Sequence, residues 1–529
     1  MDLLFRNGTI VDGTGAAPVR QDLLIRNDRV ADVGHFPDAR ADRVIDATGL
    51  MIVPGLIDCH THSELDLLRN RQHPNAVYQG LSTVVTGMCG LGFAPIRPQQ
   101  WKATFHANSG IFGRSDASML PWNSFEEWME RFEGCAVNVC SLTTHNAIRQ
   151  MACGFENQPL TGSALDKAKD ALDAALSQGA SGFSVGLSYY PGAYSDTEEL
   201  VELAKVIARH DAVFCVHMRL NTIGPSFHPM DEIAEVIQRT GVRTHMLHHR
   251  TKAPTTLGHP EAIIAPFEKV MKNGAKVTFE FYPYLAMAGY LLVMLPGWVQ
   301  EGGPEATMER LMDLSLRERI LKDVQYRYQL NVPFATTGVF THFKDPYSSD
   351  VGKTFEQLAL ERQCSIPQLF VDLLIENELE VGWRSSEPQD EELRAALFDD
   401  QFAMLSMDCY TIGSDTILVG DQGHPRAFGT FARTLKMARE RGMAPETAIR
   451  KLTALPAEIY RLKDRGQIRK GAFADLCLLD WENICDKATF DHPRRAPEGV
   501  RQLYVNGRCA LEDGHITGIL GGHSLRRGE

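Results

Sequence analysis

Between residues 55 and 461 short apolar runs alternate with longer helix-like segments, and no other feature of the sequence limits the fold so strongly. STVVTGMCG, CAVNVCSL, ASGFSVGLS, AVFCVHMR, RTHMLHHR, KVTFEFYPY and FAMLSMD read as buried strands. The segments among them include helices over 163–177, 197–209 and 230–239. Strand and helix in alternation over such a span predict a parallel sheet closed into an eight-fold β/α barrel, the TIM-like (β/α)8 architecture of the α/β class. Residues 285–343 break the alternation with Met, Pro and charged helix-like stretches, so they read as an insertion near the barrel mouth, able to serve as a lid.

The chain ends have another texture. LLFRNGTIV, DLLIRNDRVADVG and DRVIDATGLMIV are β-rich runs separated by turn signals such as DGTG. The same texture returns in FADLCLLD, VRQLYVNGRCALEDG and HITGILGG, so both ends are expected to build one small β-sandwich. The expected organisation is sandwich over 1–54, barrel over 55–284, insertion over 285–343, barrel again over 344–461 and sandwich over 462–529.

At 529 residues and 44% hydrophobic, the chain has material for a large core with accessory modules. A net charge of −13 with scattered Lys and Arg offers no basic field for a phosphate backbone, which argues against nucleic acid. Nothing approaches the roughly 18 consecutive apolar residues of a membrane span. Asp2 and Arg6 interrupt the stretch where a secretory signal needs an apolar core, so the expected location is cytoplasmic. Eleven cysteines, without close pairs, suit reduced and mostly buried thiols.

The chemistry begins at Asp58-Cys59-His60-Thr61-His62, directly after the apolar run LMIVPGLI. Residues i and i+2 of an extended strand point to one side, so His60 and His62 can offer two imidazoles to one metal ion at a strand end. In a TIM barrel the C-terminal strand ends form the catalytic mouth. Further candidates end other runs: Cys89 between Gly87 and Gly90, His217 after AVFCV, His248 with His249 after RTHML, and Asp408 after FAMLSM. Each alone is as readily a core thiol, a packed histidine or a helix cap. Six residues of the types that zinc accepts, each closing a strand of one barrel, point together to a metal centre.

These residues sit in PGLIDCHTHS, GLSTVVTGMCGLGFAP, GASGFSVGLSYYPGAYSDTEEL, VHMR, HHRTKA, FYPY, GHPRAFGTFAR and RGQIRKGAFADLCLLD. The ordered set resembles the N-acyl-D-amino-acid deacylases (D-aminoacylases) of the amidohydrolase superfamily, and the likeness extends to VNGRCALEDG and LRRG near the end. It implies zinc, one or two ions, with His60 and His62 on one metal position and His217 and His248 on the other. Cys89 then stands where hydantoinase-like relatives have a bridging carboxylated lysine. Asp408, sixteen residues before His424 (424 − 408 = 16), falls at the catalytic aspartate, with Asp415 in IGSD as a competitor. Departures from the family pattern are Arg250 where lysine is usual, Leu220-Asn221 without the usual acid, and Glu64 and Glu280 where Asp is common.

The reaction implied is metal-assisted hydrolysis of the amide of an N-acylated small molecule, with Asp408 as general base and then general acid. By the same resemblance the substrate carboxylate meets Arg250 and Arg426, while Tyr189 and Tyr284 shape the pocket. Arg426 reads equally well as half of a structural ion pair. His145 in LTTHNAIR either orients a substrate carbonyl or is structural, and His249 supports rather than binds a metal. A cyclic-amide hydrolase of the hydantoinase or dihydropyrimidinase kind is a rival, and so is a non-catalytic scaffold on the same fold. The acyl group, the side chain preferred and the oligomeric state stay open.

Overall fold

The apolar runs of the middle of the chain become eight short strands. In the computed structural model, which describes residues 1–113, 122–219, 229–249, 259–329, 337–386, 391–410 and 423–528, they are β1 (Leu56–Asp58), β2 (Leu81–Thr86), β3 (Asn138–Ser141, resuming at Thr143–Thr144), β4 (Gly182–Gly186), β5 (Val213–His217), β6 (Arg243–Met246), β7 (Val277–Phe281) and β8 (Ala403–Leu405). Helices cover the outside and side chains fill the inside, so these strands are buried on both faces and read as continuous Val, Phe, Leu and Cys runs without alternation.

Each strand pairs in parallel with the next, from β1 through β8. Closure comes just past the ends of β8 and β1. There the Asp408 N–H donates to His60 O (2.9 Å) and the His62 N–H to Cys409 O (2.8 Å), with a parallel bridge between Thr61 and Cys409. The barrel therefore closes at its C-terminal rim, through the backbone of three candidate metal ligands. The structure has the TIM-like α/β fold expected.

The chain ends make two sheets packed together. One carries Arg29–Gly34, Asp22–Arg26, Leu3–Arg6 and Arg43–Asp46 in that order. The other runs His515–Ile516, Arg508–Glu512, Val500–Val505, Leu476–Leu479, Met51–Pro54, Thr9–Ile10 and Val19–Arg20. Strand periodicity lets the second sheet serve two cores. Leu476 and Leu478 join Leu3, Phe5, Leu23 and Tyr504 in the sandwich core, while Cys477 and Leu479 join the barrel core.

Two parts differ from the expected layout. The insertion does not end at 343: Val381–Ser386 is the middle strand of a three-stranded antiparallel sheet with Ala286–Tyr290 and Val339–Phe343. The expected layout puts residues 344–461 in the barrel, and the antiparallel pairing of Val381–Ser386 assigns this strand to the inserted unit instead. The last residues also leave the sandwich. Ser524–Leu525 pairs in parallel with β3, opposite Val139 and Cys140. β3 changes partner at Leu142, from β2 before it to β4 after it, and the C-terminal strand covers the edge this leaves. Among the described residues no helix is long and apolar enough to cross a membrane.

Candidate metal centre

At the barrel mouth the turn after β1 directs His60 and His62 to the same side, with their Nε2 atoms 3.1 Å apart. Asp58 Oδ1 organises this turn by accepting the N–H groups of His60 (3.3 Å) and Met407 (2.9 Å), so β1 and the segment after β8 are tied at one carboxylate. Cys89 follows β2 in a tight loop. A Cβ on Gly90 would lie 2.5 Å from the backbone nitrogen of Gly186, and Gly90 has φ +68°, so only glycine lets this loop press onto β4. Cys89 Sγ lies 3.6 Å from His60 Nε2 and 3.3 Å from His248 Nε2, and His217 Nδ1 lies 2.8 Å from His248 Nε2. Asp408 Oδ1 completes the circle, 3.3 Å from His60 Nε2 and 3.9 Å from His62 Nε2.

Two three-residue donor sets result, His60–His62–Cys89 and Cys89–His217–His248, each with its donor atoms within 4.8 Å of one another. Cys89 belongs to both. All six residues are buried, and three of them hold left-handed backbone: Cys89 (φ 54°), His248 (φ 29°) and Asp408 (φ 42°). Such a conformation costs about 1–3 kcal/mol per residue outside glycine and persists where surrounding structure enforces it, as active sites often do.

The electrostatics are uneven. Burial alone would strip the proton from His60, but Glu280, Cys89 and Asp408 outweigh it and hold its pKa well above the ordinary value. His62 is held well below, by burial and by His60, Arg426 and His217. Burial pushes the Cys89 thiol up to about 11 against the pull of His60. Four imidazoles, a thiol and a carboxylate converge here away from water, with the donor atoms of each three-residue set within 4.8 Å of one another. Sulfur with imidazole and carboxylate oxygen is a donor set that suits a zinc-like cation, so the residues fit a metal.

Around the donors, Arg426 opens helix Arg426–Glu440, where His424 Nδ1 accepts its backbone N–H (3.1 Å). Its guanidinium is 1% exposed, donates to Asp408 Oδ2 (2.7 Å) and lies 4.6 Å from the ring centre of Tyr282. The Tyr189 ring packs 4.6 Å from His217, beside the candidate metal ligands. Tyr284 stands farther back: its ring lies under the Arg433 guanidinium, and its hydroxyl fills the space against Gly429. Arg250 and Asp415 lie outside the described residues.

Sequence reasoning missed several neighbours. Tyr282 was visible in FYPY but unmarked, because nothing linear separates the tyrosine that faces Arg426 from the one two residues on. Tyr410, 5.7 Å from the Arg426 guanidinium, carried no signal at all. Glu64, noted in the sequence only as a departure from the family pattern, accepts the Gly87 N–H (2.7 Å) and so braces the Cys89 loop from the helix Glu64–Arg69; burial raises its pKa to about 7.

His145 and His249 resolve as structural contacts in this structure. His249 Nε2 donates to Ile263 O (3.0 Å) while its ring packs on Phe267 and Phe279. His145 Nε2 lies 2.7 Å from Glu199 Oε1, and Arg149 holds the other oxygen at 2.5 Å, all fully buried. Burial would raise the Glu199 pKa, but His145 and Arg149 outweigh it and bring it down from 4.5 to about 2. A carboxyl depressed in this way stabilises the fold above its ordinary pKa and loses that contribution as pH falls through about 4.5 towards 2. Glu199→Gln should cost about 3 kcal/mol at neutral pH and flatten that part of the acid-unfolding profile. Thermal unfolding of both proteins from pH 7 to 3 checks it; parallel profiles would show that the network carries no such charge.

Comparison with known proteins bears on this site. The model of the Amidohydrolase family matches residues 43–210 and 390–511, which include the segments of β1 to β4 and β8. D-aminoacylase of Alcaligenes xylosoxydans xylosoxydans is 28% identical, over 99% of this chain and 98% of its own length. N-acyl-D-aspartate deacylase of the same organism is 29% identical, over 98% of this chain and 93% of its length. The crystal structure of N-acyl-D-glutamate deacylase from Bordetella bronchiseptica, complexed with zinc and a phosphonate inhibitor that mimics the reaction's tetrahedral intermediate, superposes with a TM-score of 0.80 at 26% identity, covering 99% of both chains.

Proposed function

Because this chain belongs to the amidohydrolase family, we propose that it is a metal-dependent hydrolase that cleaves the amide bond of N-acyl-D-amino acids to a carboxylic acid and a free amine. The observation that carries this reading is the convergence of Cys89, His60, His62, His217 and His248 with Asp408 at the barrel mouth. His60 and His62 would hold one metal position, His217 and His248 the other, and Cys89 would serve both, with Asp408 at the edge of the first. Zinc, when bound there, polarises the acyl carbonyl and lowers the pKa of water at the site.

The protein's own groups do the rest. Asp408 removes one proton from the attacking water and passes it to the leaving nitrogen, so a single carboxylate acts as base and then as acid. Arg426 keeps Oδ2 of that carboxylate occupied, which turns Oδ1 towards His60 and His62. Arg250 would provide planar, two-pronged recognition of a substrate carboxylate, whereas Arg426, buried and paired with Asp408, positions the Asp408 carboxylate, and Tyr189 lines the wall beside His217.

Purified protein should contain zinc and release the amino acid from N-acetyl-D- but not N-acetyl-L-amino acids. A chelator should stop the release, and added zinc should restore it. Zinc-bearing protein inactive on every N-acyl-D-amino acid would move the search to cyclic amides, the rival substrates of this fold. Protein that binds no metal and hydrolyses nothing would sink the reading.

A further inference from the structure

Beneath the donor atoms, on β7, Glu280 is completely buried and its two carboxylate oxygens face four donors. Oε1 accepts from His60 Nδ1 (2.5 Å) and from the backbone N–H of His248 (3.0 Å). Oε2 faces the Cys59 thiol (3.1 Å) and His245 Nε2 (3.3 Å), and His245 is itself anchored through Nδ1 on Thr278 Oγ1 (2.9 Å). These partners come from the turn after β1, from β6 and from the turn after β6, so one carboxylate on β7 joins the parts of the rim that carry opposite halves of the donor set.

We propose that Glu280 is the positioning residue of the metal centre, a single carboxylate that orders one ligand on each metal position. The inference rests on the reading of His60 and His248 as ligands. An imidazole can give Nε2 to a cation only when its remaining proton sits on Nδ1, and that proton needs an acceptor when buried. Glu280 Oε1 is that acceptor, and it leaves His60 Nε2 facing His62, Cys89 and Asp408. The same oxygen holds the His248 N–H at a residue with φ 29°, a backbone that needs an external tether. The reach matters as well as the charge. Glu280 spans from β7 to the turn after β1, a reach that aspartate, one methylene shorter, would not match.

Cys59, His245 and Glu280 also form a donor triplet of their own. Both Glu280 oxygens are already engaged by protein donors, however, which is how a support is wired rather than a vacant ligand.

The test compares wild type with Glu280→Gln. An amide has one accepting oxygen, so it cannot accept from both the His60–His248 side and the Cys59–His245 side. Zinc and cobalt(II) affinities are measured by competition with a chromophoric chelator, and thermal unfolding confirms that the variant is folded. The expected result is about 10- to 100-fold weaker binding at the His60–His62 position, the usual loss when a ligand's supporting carboxylate is removed. The cobalt–thiolate absorption from Cys89 with His217 and His248 should still form but with a smaller loss of affinity, because Glu280 reaches that side through the backbone N–H of His248. Wild-type affinity at both positions in folded Glu280→Gln overturns the proposal. Should that variant not fold, histidine 15N NMR of zinc-loaded wild type decides: a hydrogen-bonded proton on His60 Nδ1 supports the proposal, and a proton on Nε2 overturns it. Wild type that binds neither metal overturns the metal reading itself, a result distinguishable from either of these.

Discussion

Asp408→Asn should lower kcat by about 10²- to 10⁴-fold, the usual contribution of a positioned proton-transfer group, while metal content stays near that of wild type. The side-chain amide can still place an oxygen near His60, but it cannot hold a proton between water and the leaving nitrogen. A second effect follows from the packing. Arg426 is 1% exposed and its guanidinium donates to Asp408, so the substitution leaves a buried cation without its counter-charge. Breaking such a pair costs about 3 kcal/mol or more, and the thermal midpoint should fall with activity. The two effects separate when kcat is measured well below that midpoint. Near-normal turnover in folded Asp408→Asn would remove Asp408 from the chemistry and turn attention to Asp415.

Cys89→Ala should be at least as severe and different in kind. Cys89 Sγ is the one atom common to both donor sets, 3.6 Å from His60 Nε2 and 3.3 Å from His248 Nε2. Losing only the partner of a ligand weakens metal binding by about 10- to 100-fold, so loss of the shared ligand itself should exceed about 100-fold and take activity with it. Cobalt-substituted protein should lose its thiolate charge-transfer absorption altogether. The fold should survive, because alanine meets the same backbone demand at φ 54° as cysteine and leaves only a small void. A Cys89→Ala protein with full metal and full activity would show the thiol to be a bystander.

The contrast between these variants reflects what a linear reading can and cannot reach. His60 and His62 are legible because period-two geometry is local: two residues apart on an extended chain must face the same way. Cys89, His217, His248 and Asp408 are legible one level up, since a parallel barrel gathers the C-terminal ends of its strands at one rim, and each residue closes an apolar run. The Arg426 contact is not of that kind. The sequence leaves its guanidinium equally free to meet a substrate or a protein carboxylate. Closure of β8 onto β1 brings Asp408 to 2.7 Å from it. His145 was similarly balanced until α-helical packing placed Glu199 and Arg149 around it.

The sequence by itself determined the alternation that makes a β/α barrel, the sharing of one sandwich by two chain ends, and which strand ends carry donor atoms. Those properties follow from periodicity and residue type, which short-range sterics and burial convert directly into structure. Only the tertiary structure decided that Val381–Ser386 pairs antiparallel outside the barrel, that Ser524–Leu525 returns to edge β3, and that Glu280 stands under both halves of the donor set. The physical reason is the same in all three cases. Pairing direction, edge partners and the meeting of side chains more than 200 residues apart, such as His60 and Glu280, are set by closure of the whole sheet, and no local pattern of residues encodes where a closed surface meets itself.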